Sequence, residues 1–143
     1  MNSRFAVAVH IVTLMAWARD EAVKSEMIAR SVNTNPVVIR RIMCALARAG
    51  LVASQTGAAG GSRLARRPDE VTLLDVYRAV EGGQVFCLHP RPPSASCPVG
   101  GRIEDVLEKI LWDVEMAVEE VLSNITVEQI LRRIKAKKWG RGK

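Results

Sequence analysis

The sequence predicts a mainly α-helical fold that carries one small β-hairpin and a long helix near its C-terminal end. Three patterns support this expectation. Several segments repeat apolar residues at helical spacing after recognisable cap residues. Residues 51–65 have the alternating pattern of two strands on either side of a glycine-rich loop. Residues 102–122 carry a wide apolar stripe. With 143 residues, 48% of them hydrophobic, the chain is long enough for one compact core and an appendage.

Two helices are predicted in the first 32 residues. Residues 5–18 are apolar on nearly every side, which is typical of a central helix with neighbours all round, and Ser3 suits its cap. Ser25 is expected to cap a shorter helix over residues 26–32. The spacing places one buried face of that helix at Met27, Ile28 and Val32.

Start signals at Asn35 and Pro36 predict a third helix. Asparagine is a favoured N-cap, and proline suits the first helical position because its missing N–H would have no partner there. The helix should end near Ala49, before Gly50. Its apolar stripe is Ile39, Ile42, Met43 and Leu46. Two helices joined by a turn of about three residues form a helix-turn-helix.

The segment after this pair predicts a β-hairpin. Residues 51–56 alternate toward a strand, residues 57–61 form a flexible glycine-rich loop, and residues 62–65 can return as a second strand. Helix, turn, helix and a glycine-tipped hairpin is the element order of a winged helix domain. The combination is more specific than the helix pair alone.

Helical signals continue in the second half. Thr72 with Asp75 is expected to cap a helix that runs to Glu81. The prolines of residues 84–101 then forbid long regular structure.

The wide stripe of residues 102–122 needs a partner surface, because a solvated helix exposes no such face. A capping box at Thr126 and Gln129 opens a last helix over residues 127–134, which leads into the basic tail 135–143.

Charge is unevenly distributed along a chain of net charge +6. Residues 1–72 hold 10 basic and 5 acidic residues, residues 73–131 hold 4 and 10, and residues 132–143 hold 7 and none. This pattern favours a basic, DNA-facing module joined to a part with another role. No apolar run is long enough for a membrane helix, and we expect a cytoplasmic protein. Three cysteines without an export signal do not predict a disulfide framework.

Several of these segments together resemble the Rrf-two family of bacterial winged helix-turn-helix transcription regulators, of the type of IscR, NsrR and CymR. The resemblance covers residues 2–125. It rests on Arg4-Phe5-Ala6-Val7, on Ile39-Arg40-Arg41-Ile42 with Ala49-Gly50-Leu51-Val52, on the loop Gly57 to Leu64, and on the segment Thr72 to Gly82.

The resemblance implies a sequence-specific DNA-binding regulator, with repression favoured, that acts as a homodimer on a palindromic operator. It divides the chain into a DNA-binding domain at residues 1–82, a sensor loop at 83–101, a dimerisation helix with a C-terminal helix at 102–138, and a basic tail at 139–143. The expected dimer interface comprises Ile103, Leu107, Ile110, Leu111, Val114, Val118 and Val121.

The helix that begins at Pro36 is the expected DNA reader. Arginine can hold guanine O6 and N7 in a bidentate pair, whereas valine can contact only a thymine methyl. Helix N-termini and hydroxyl groups suit phosphates. The predicted DNA contacts are Ser3, Arg4, Thr34, Asn35, Pro36, Val37, Val38, Arg40, Arg41 and Arg63. A solvated charge pair, or simple capping at the helix start, would explain several of these residues equally.

The sequence of the hairpin loop differs from the one that is common in the family. Thr56 and Ala58 stand where an arginine before the first glycine and a proline after it are common. We expect Arg63, Arg66 and Arg67 to supply phosphate contacts instead, although a solvated run of charge would look the same.

Cysteines leave three interpretations open. Cluster-binding relatives carry three loop cysteines, whereas this loop has Cys87 and Cys97 with His89 between them. No cofactor is therefore predicted, although these three residues could hold an iron–sulfur cluster. The second interpretation is a thiol switch at Cys97, with a pKa lowered by the following helix and Arg102. In the third, the cysteines have no functional role, and Cys44 simply packs in its helix.

Other function classes find less support. An enzyme needs a nucleophile and base in one pocket, and the chain has two histidines, of which His10 lies in an apolar helix and suits the core. The remaining alternative is a winged-helix module that docks on protein without specific DNA binding.

Overall fold

A computed structural model describes residues 3–58 and 60–137. The described chain has six α-helices, α1 Arg4–Ala18, α2 Ser25–Val32, α3 Pro36–Arg48, α4 Leu73–Val80, α5 Ile103–Ser123 and α6 Val127–Ala136. A two-stranded antiparallel hairpin, β1 Val52–Gln55 and β2 Gly61–Leu64, follows α3. One 3-10 turn, Pro68–Glu70, was not predicted. Within the described ranges, no helix combines the length and apolarity needed to cross a membrane.

The chain forms two compact units. The first joins residues 1–81 to residues 122–143, and the second is residues 82–121. The predicted division grouped the C-terminal helix with the long helix, but α6 lies in the first unit. There the amide of Val127 donates to the carbonyl of Val71 at 2.9 Å. The tail at residues 139–143 lies outside the described residues.

A single hydrophobic core holds the first unit together. Its centre is α1, whose Ile11 and Val12 are fully buried. Helix α3 contributes Leu46, and α6 contributes Val127, both without exposed surface. Burying such side chains removes apolar area from water, which is the main stabilising contribution to folding.

Local cap signals set the helix starts as predicted. Asn35 Oδ1 accepts a hydrogen bond from the Val37 amide at 2.8 Å, with Pro36 in the first helical position. Thr72 with Asp75 and Thr126 with Gln129 each form a complete capping box. Ser3 and Ser25 are exceptions. Ser3 precedes α1 without a side-chain cap bond, and Ser25 lies inside α2, whose N-cap is Lys24, also without a side-chain cap bond.

The hairpin extends by one short bridge to the segment before α2. Val52 pairs with Leu64 and Gln55 with Gly61, so the loop spans residues 56–60. Ser62 also exchanges two backbone hydrogen bonds with Val23, at 2.7 and 2.8 Å. The start of α2 is thereby joined directly to β2.

Several predicted faces are wrong. Met27 is 50% exposed, so Ile28 alone is buried on α2. Trp17 is 58% exposed at the end of α1, a helix that was expected to have neighbours all round. His10 is exposed rather than a core residue, and its Nε2 lies 2.9 Å from Ser31 Oγ.

The second unit contains no buried side chain. Residues 82–101 have no regular secondary structure, as their prolines predicted. Along α5 no residue is buried, although Val85 donates its amide to Glu115 at 3.0 Å. This unit therefore lacks a core of its own.

Candidate nucleic-acid interface

Helix α3 presents a basic face to solvent while its opposite side enters the core. Ile39, Ile42 and Leu46 are buried on the inner side. The exposed side, which we term the outward face, consists of Val37, Arg40, Arg41, Cys44 and Arg48. The helix holds three arginines and no acidic residue. Such a face has the charge and donor groups that DNA requires.

Cys44 was expected near the packed side of α3, and this expectation is wrong. Its side chain is an exposed free thiol on the outward face, one turn after Arg40 and one turn before Arg48. Conversely, Val38 was expected to face DNA, yet it is only partly exposed and packs against the core. A rotation of about 100° per residue separates it from Val37.

A groove of about 640 Å³ lies beside α3. Arg40 lines it from α3, Glu26 lines it from α2, and Gln55 lines it from β1. The groove therefore lies between α3 and the hairpin, and two predicted DNA contacts, Pro36 and Arg40, line it.

The turn before α3 exposes Thr34, Asn35 and Pro36, as predicted for phosphate contacts. Asn33 adopts the left-handed conformation, with φ 56° and ψ 50°, and its amide closes α2 on the carbonyl of Ala29. Asparagine tolerates this conformation better than most residues. The turn thus brings the N-terminus of α3 to the surface, where its backbone dipoles favour anions.

Ser3 and Arg4 lie at the start of α1, and both are exposed. Arg4 Nη2 lies 3.3 Å from Glu81 Oε1, so its guanidinium already has a carboxylate partner. A phosphate contact by Arg4 must therefore share or replace this ion pair.

Arg63 lies on β2 and bonds across the hairpin. Its Nη2 donates to Gln55 Oε1 at 2.6 Å. Its Nε is buried and has no hydrogen-bond partner among the residues the structure describes. A phosphate contact by Arg63 must therefore share or replace its bond to Gln55. Two other arginines were expected to contact phosphate. Arg66 is exposed, and Arg67 is held by Asp69, because its Nε donates to Oδ1 at 3.0 Å.

The three candidate cluster ligands do not converge. Cys87, His89 and Cys97 are all exposed, and His89 Nδ1 instead lies 3.9 Å from Glu104 Oε2. Within residues 3–58 and 60–137, no group of three or more His, Cys, Asp or Glu residues could hold a metal ion. The donor set does not fit an iron–sulfur cluster, which needs several thiolates around one centre.

Cys97 nevertheless has the chemistry of a reactive thiol. Hydrogen bonds from the backbone N–H groups of Gly100 and then Val99 lower the pKa of its exposed thiol. The predicted direction is correct, but the cause differs. Arg102 does not supply it, because its Nη1 donates to the Pro98 carbonyl at 2.9 Å.

The apolar stripe of α5 is open on one side only. Val106, Ile110 and Val121 are 55%, 51% and 59% exposed. The other predicted interface residues are half-buried: Ile103, Leu107, Leu111, Val114 and Val118. The open face is therefore narrower than the full stripe, and it includes Val106, which was not among the predicted interface residues.

Sequence reasoning also missed Lys24. Its Nζ donates to the carbonyls of Ala58 and Gly60 in the hairpin loop, at 3.1 and 3.2 Å. No local pattern could have revealed this contact, since the partners lie 34 and 36 residues away.

Comparisons with known proteins agree with this architecture. Residues 1–133 match the model of the Rrf2 family, which is described as an iron-dependent transcriptional regulator. The chain is 39% identical over 135 residues to YwnA of Bacillus subtilis, a proposed HTH-type transcriptional regulator. That match covers 94% of this chain and 98% of YwnA.

Two solved structures are similar along most of their length. CymR, the global cysteine regulator of B. subtilis, aligns with TM-score 0.68 and 25% identity over 93% of this chain and 96% of CymR. IscR of T. potens aligns with TM-score 0.73 and 24% identity, over 98% and 93% of the two chains, which shows a shared fold. The chain therefore belongs to the Rrf2 family and is a DNA-binding winged helix transcription regulator.

Proposed function

We propose that this regulator binds its operator as a homodimer and reads the major groove with the outward face of α3. The observation that carries the proposal is the division of α3 between a buried apolar side and an exposed side with three arginines. Arg40 and Arg41 lie in the N-terminal half of the helix, which enters the groove in helix-turn-helix proteins. There a guanidinium can bind guanine bidentately.

Phosphate contacts position this helix. Thr34, Asn35 and Pro36 are exposed at its N-terminus, where the helix dipole favours anions. Ser3 and Arg4 contact phosphates at the start of α1, and Arg63 contacts them at the hairpin. Of these, Arg4 already pairs with Glu81 and Arg63 already bonds to Gln55, so their phosphate contacts share or replace these interactions.

Dimerisation through α5 follows from its open apolar face. Val106, Ile110 and Val121 expose more than half of their surface, which a second copy of the same helix would cover. A two-fold dimer repeats the recognition helix about one DNA turn away. The operator is then an inverted repeat, and bound protein represses by occupying it.

Selection of bound sequences from random double-stranded DNA tests this proposal directly. The purified chain should enrich an inverted repeat whose half-sites lie about 10 to 11 base pairs apart, centre to centre. Enrichment of a single unrepeated site would contradict the dimer. No enrichment at all would contradict specific DNA binding.

The alternative, a winged-helix module that docks on protein, predicts a different response to salt. DNA binding through several phosphates weakens steeply with ionic strength, by about 10³-fold or more between 50 and 200 mM salt. Binding to the target that keeps the same affinity across this range of salt would favour protein docking.

Control through Cys97 is a second proposal, supported by the lowered pKa of this exposed thiol. Its thiolate attacks a peroxide oxygen, the S–O bond forms as the O–O bond breaks, and hydroxide leaves. The resulting sulfenic acid can condense with Cys87 or with a small thiol and release water. Such a change next to α5 would alter the spacing of the two recognition helices.

Mild peroxide treatment tests this control. Mass spectrometry of the native protein gives the oxidation state of Cys97, and operator affinity is measured on the same sample. We expect affinity to change with the oxidised fraction and to remain constant in Cys97→Ser. Unchanged affinity with Cys97 fully oxidised would contradict the proposal.

A further inference from the structure

The hairpin with its loop, residues 52–64, which we term the wing, is held by a residue outside it. Lys24 Nζ donates to the carbonyl oxygens of Ala58 and Gly60, at 3.1 and 3.2 Å. Hydrogen bonds from an ammonium are stronger than those between neutral groups. One side chain therefore joins two points of the loop to the body of the first unit.

Lys24 lies where the start of α2 meets the wing. It is the residue that precedes α2, and its own carbonyl accepts the amides of Met27 and Ile28 at 3.0 and 3.1 Å. Its neighbour Val23 is bridged to Ser62 of the wing. The segment that starts the helix-turn-helix is thus bonded to the strand and to the loop of the wing.

The loop needs such support because of its composition. Gly57 has φ +92° and Gly61 has φ +145°, conformations that favour glycine. The amide of Gly60 donates to the Gly57 carbonyl at 2.9 Å, which forms a tight turn. Glycines lose more conformational entropy than other residues when a loop orders. Contacts from outside the loop must offset that loss.

We propose that Lys24 is a positioning residue for DNA binding, which holds the wing at a fixed distance from the recognition helix. The proposal rests on the function proposed above, in which α3 and the wing contact one DNA site. Lys24 acts through Ala58 and Gly60 rather than by direct contact with a base. With the ammonium removed, the wing remains paired to Val23 through Ser62, but the loop loses its two bonds to Lys24 and becomes free to move.

Hydrogen exchange in the DNA-free protein tests the anchor itself. In Lys24→Met the Gly60 amide, which bonds to Gly57, should exchange about tenfold faster. The Ser62 amide, which bonds to Val23, and the amides of α1 should keep their wild-type rates. The variant Lys24→Arg retains charge and donors, and it should restore most of the protection. An unchanged Gly60 rate in Lys24→Met would overturn the proposal.

DNA footprinting tests the consequence. Lys24→Met should bind a selected operator about tenfold more weakly. It should lose backbone protection at the flanks of the site, where the wing lies, and keep protection of guanine N7 at the centre of each half-site. Lys24→Arg should bind as wild type does, and Lys109→Met, which removes a lysine from the second unit, should also bind normally. Weaker binding with a wild-type Gly60 rate would mean that Lys24 contacts phosphate directly, and this would also overturn the proposal.

The two proposals can fail separately. If the wild-type protein protects no DNA at all, the proposed function fails, and the role of Lys24 in DNA binding fails with it. If the wild type binds and Lys24→Met gives an identical footprint with a faster Gly60 amide, DNA binding stands and the positioning role is wrong.

Discussion

Helices α3 and α5 are both amphipathic. Helix α3 leaves its basic face uncovered, whereas α5 leaves part of its apolar face uncovered. Helix α3 buries Ile39, Ile42 and Leu46 against the core and exposes arginines. Helix α5 buries no residue and leaves Val106 and Ile110 more than half exposed. Both helices lie in the same chain of 143 residues. Under the proposed function, this contrast reflects different partners, DNA for α3 and a second copy of the chain for α5.

An uncovered face indicates the chemistry of its partner. A row of guanidinium groups without acidic neighbours is stabilised by phosphates and base edges. An apolar row is stabilised by removal from water, and α5 carries seven acidic residues that would oppose a nucleic acid on its other side. Under the proposed function, the two units separate DNA contact from self-association, and substitutions should affect one without the other.

The largest expected effect is on DNA affinity from the double substitution Arg40→Ala and Arg41→Ala. Both side chains are exposed, so folding should be unaffected while operator binding loses about 2 to 6 kcal/mol. Fluorescence anisotropy with the selected operator measures the loss. Arg91→Ala with Lys109→Ala removes the same charge from the second unit and should bind normally. Equal losses in both double variants would mean that net charge, rather than α3, governs binding.

Dimerisation should respond to Ile110→Glu. A carboxylate in the middle of the open face would be buried without a partner in the dimer, which costs about 3 to 5 kcal/mol. We expect a monomer at micromolar concentration in sedimentation experiments. Trp112→Glu is the matched control, since Trp112 is 61% exposed and lies on the opposite side of α5. If Trp112→Glu also yields a monomer, the assigned face is wrong.

Folding stability should distinguish the two helices in a third way. Leu46 is fully buried in α3, and Leu46→Ala should reduce the free energy of unfolding by about 2 to 5 kcal/mol. In the monomeric Ile110→Glu background, Val106→Ala on α5 should change it by less than about 0.5 kcal/mol. Urea unfolding measures both. A large loss from Val106→Ala in that background would mean that α5 packs within its own chain.

The smallest expected effect is on the titration of Cys97. Because backbone N–H groups stabilise its thiolate, the pKa of the folded thiol lies below that of the unfolded chain. The associated stabilisation is present at high pH and is lost as the pH falls through the folded-state pKa. The rate of alkylation of Cys97 against pH, followed by mass spectrometry, should have a lower midpoint in the native protein than in urea. Identical midpoints would contradict the hydrogen bonds to sulfur.

The starts of α3, α4 and α6 were predictable because their causes are local. Asn35 and Pro36 determine the start of α3 through contacts within two residues, and Thr72 and Thr126 begin their helices through contacts three residues away. Residue spacing also located the hairpin, to within a residue or two at each strand end.

Faces and long-range contacts were less predictable. Met27 and Cys44 are exposed because short helices meet the core along a narrow line, which periodicity alone does not locate. His10 is exposed because its side of α1 is left open, and its Nε2 lies 2.9 Å from Ser31 Oγ. The Lys24 contact depends on how the hairpin folds back, and sequence proximity carries no information about it.

Cys44 offers the most direct measurement of the central claim, that the outward face of α3 lies against DNA. Its thiol is exposed on that face, whereas Cys87 and Cys97 lie in the second unit. The rate at which a maleimide modifies each cysteine is measured with and without a saturating amount of operator. We predict that operator slows modification of Cys44 at least about tenfold and leaves Cys87 and Cys97 unchanged. An unchanged rate at Cys44 in the bound complex would contradict the account.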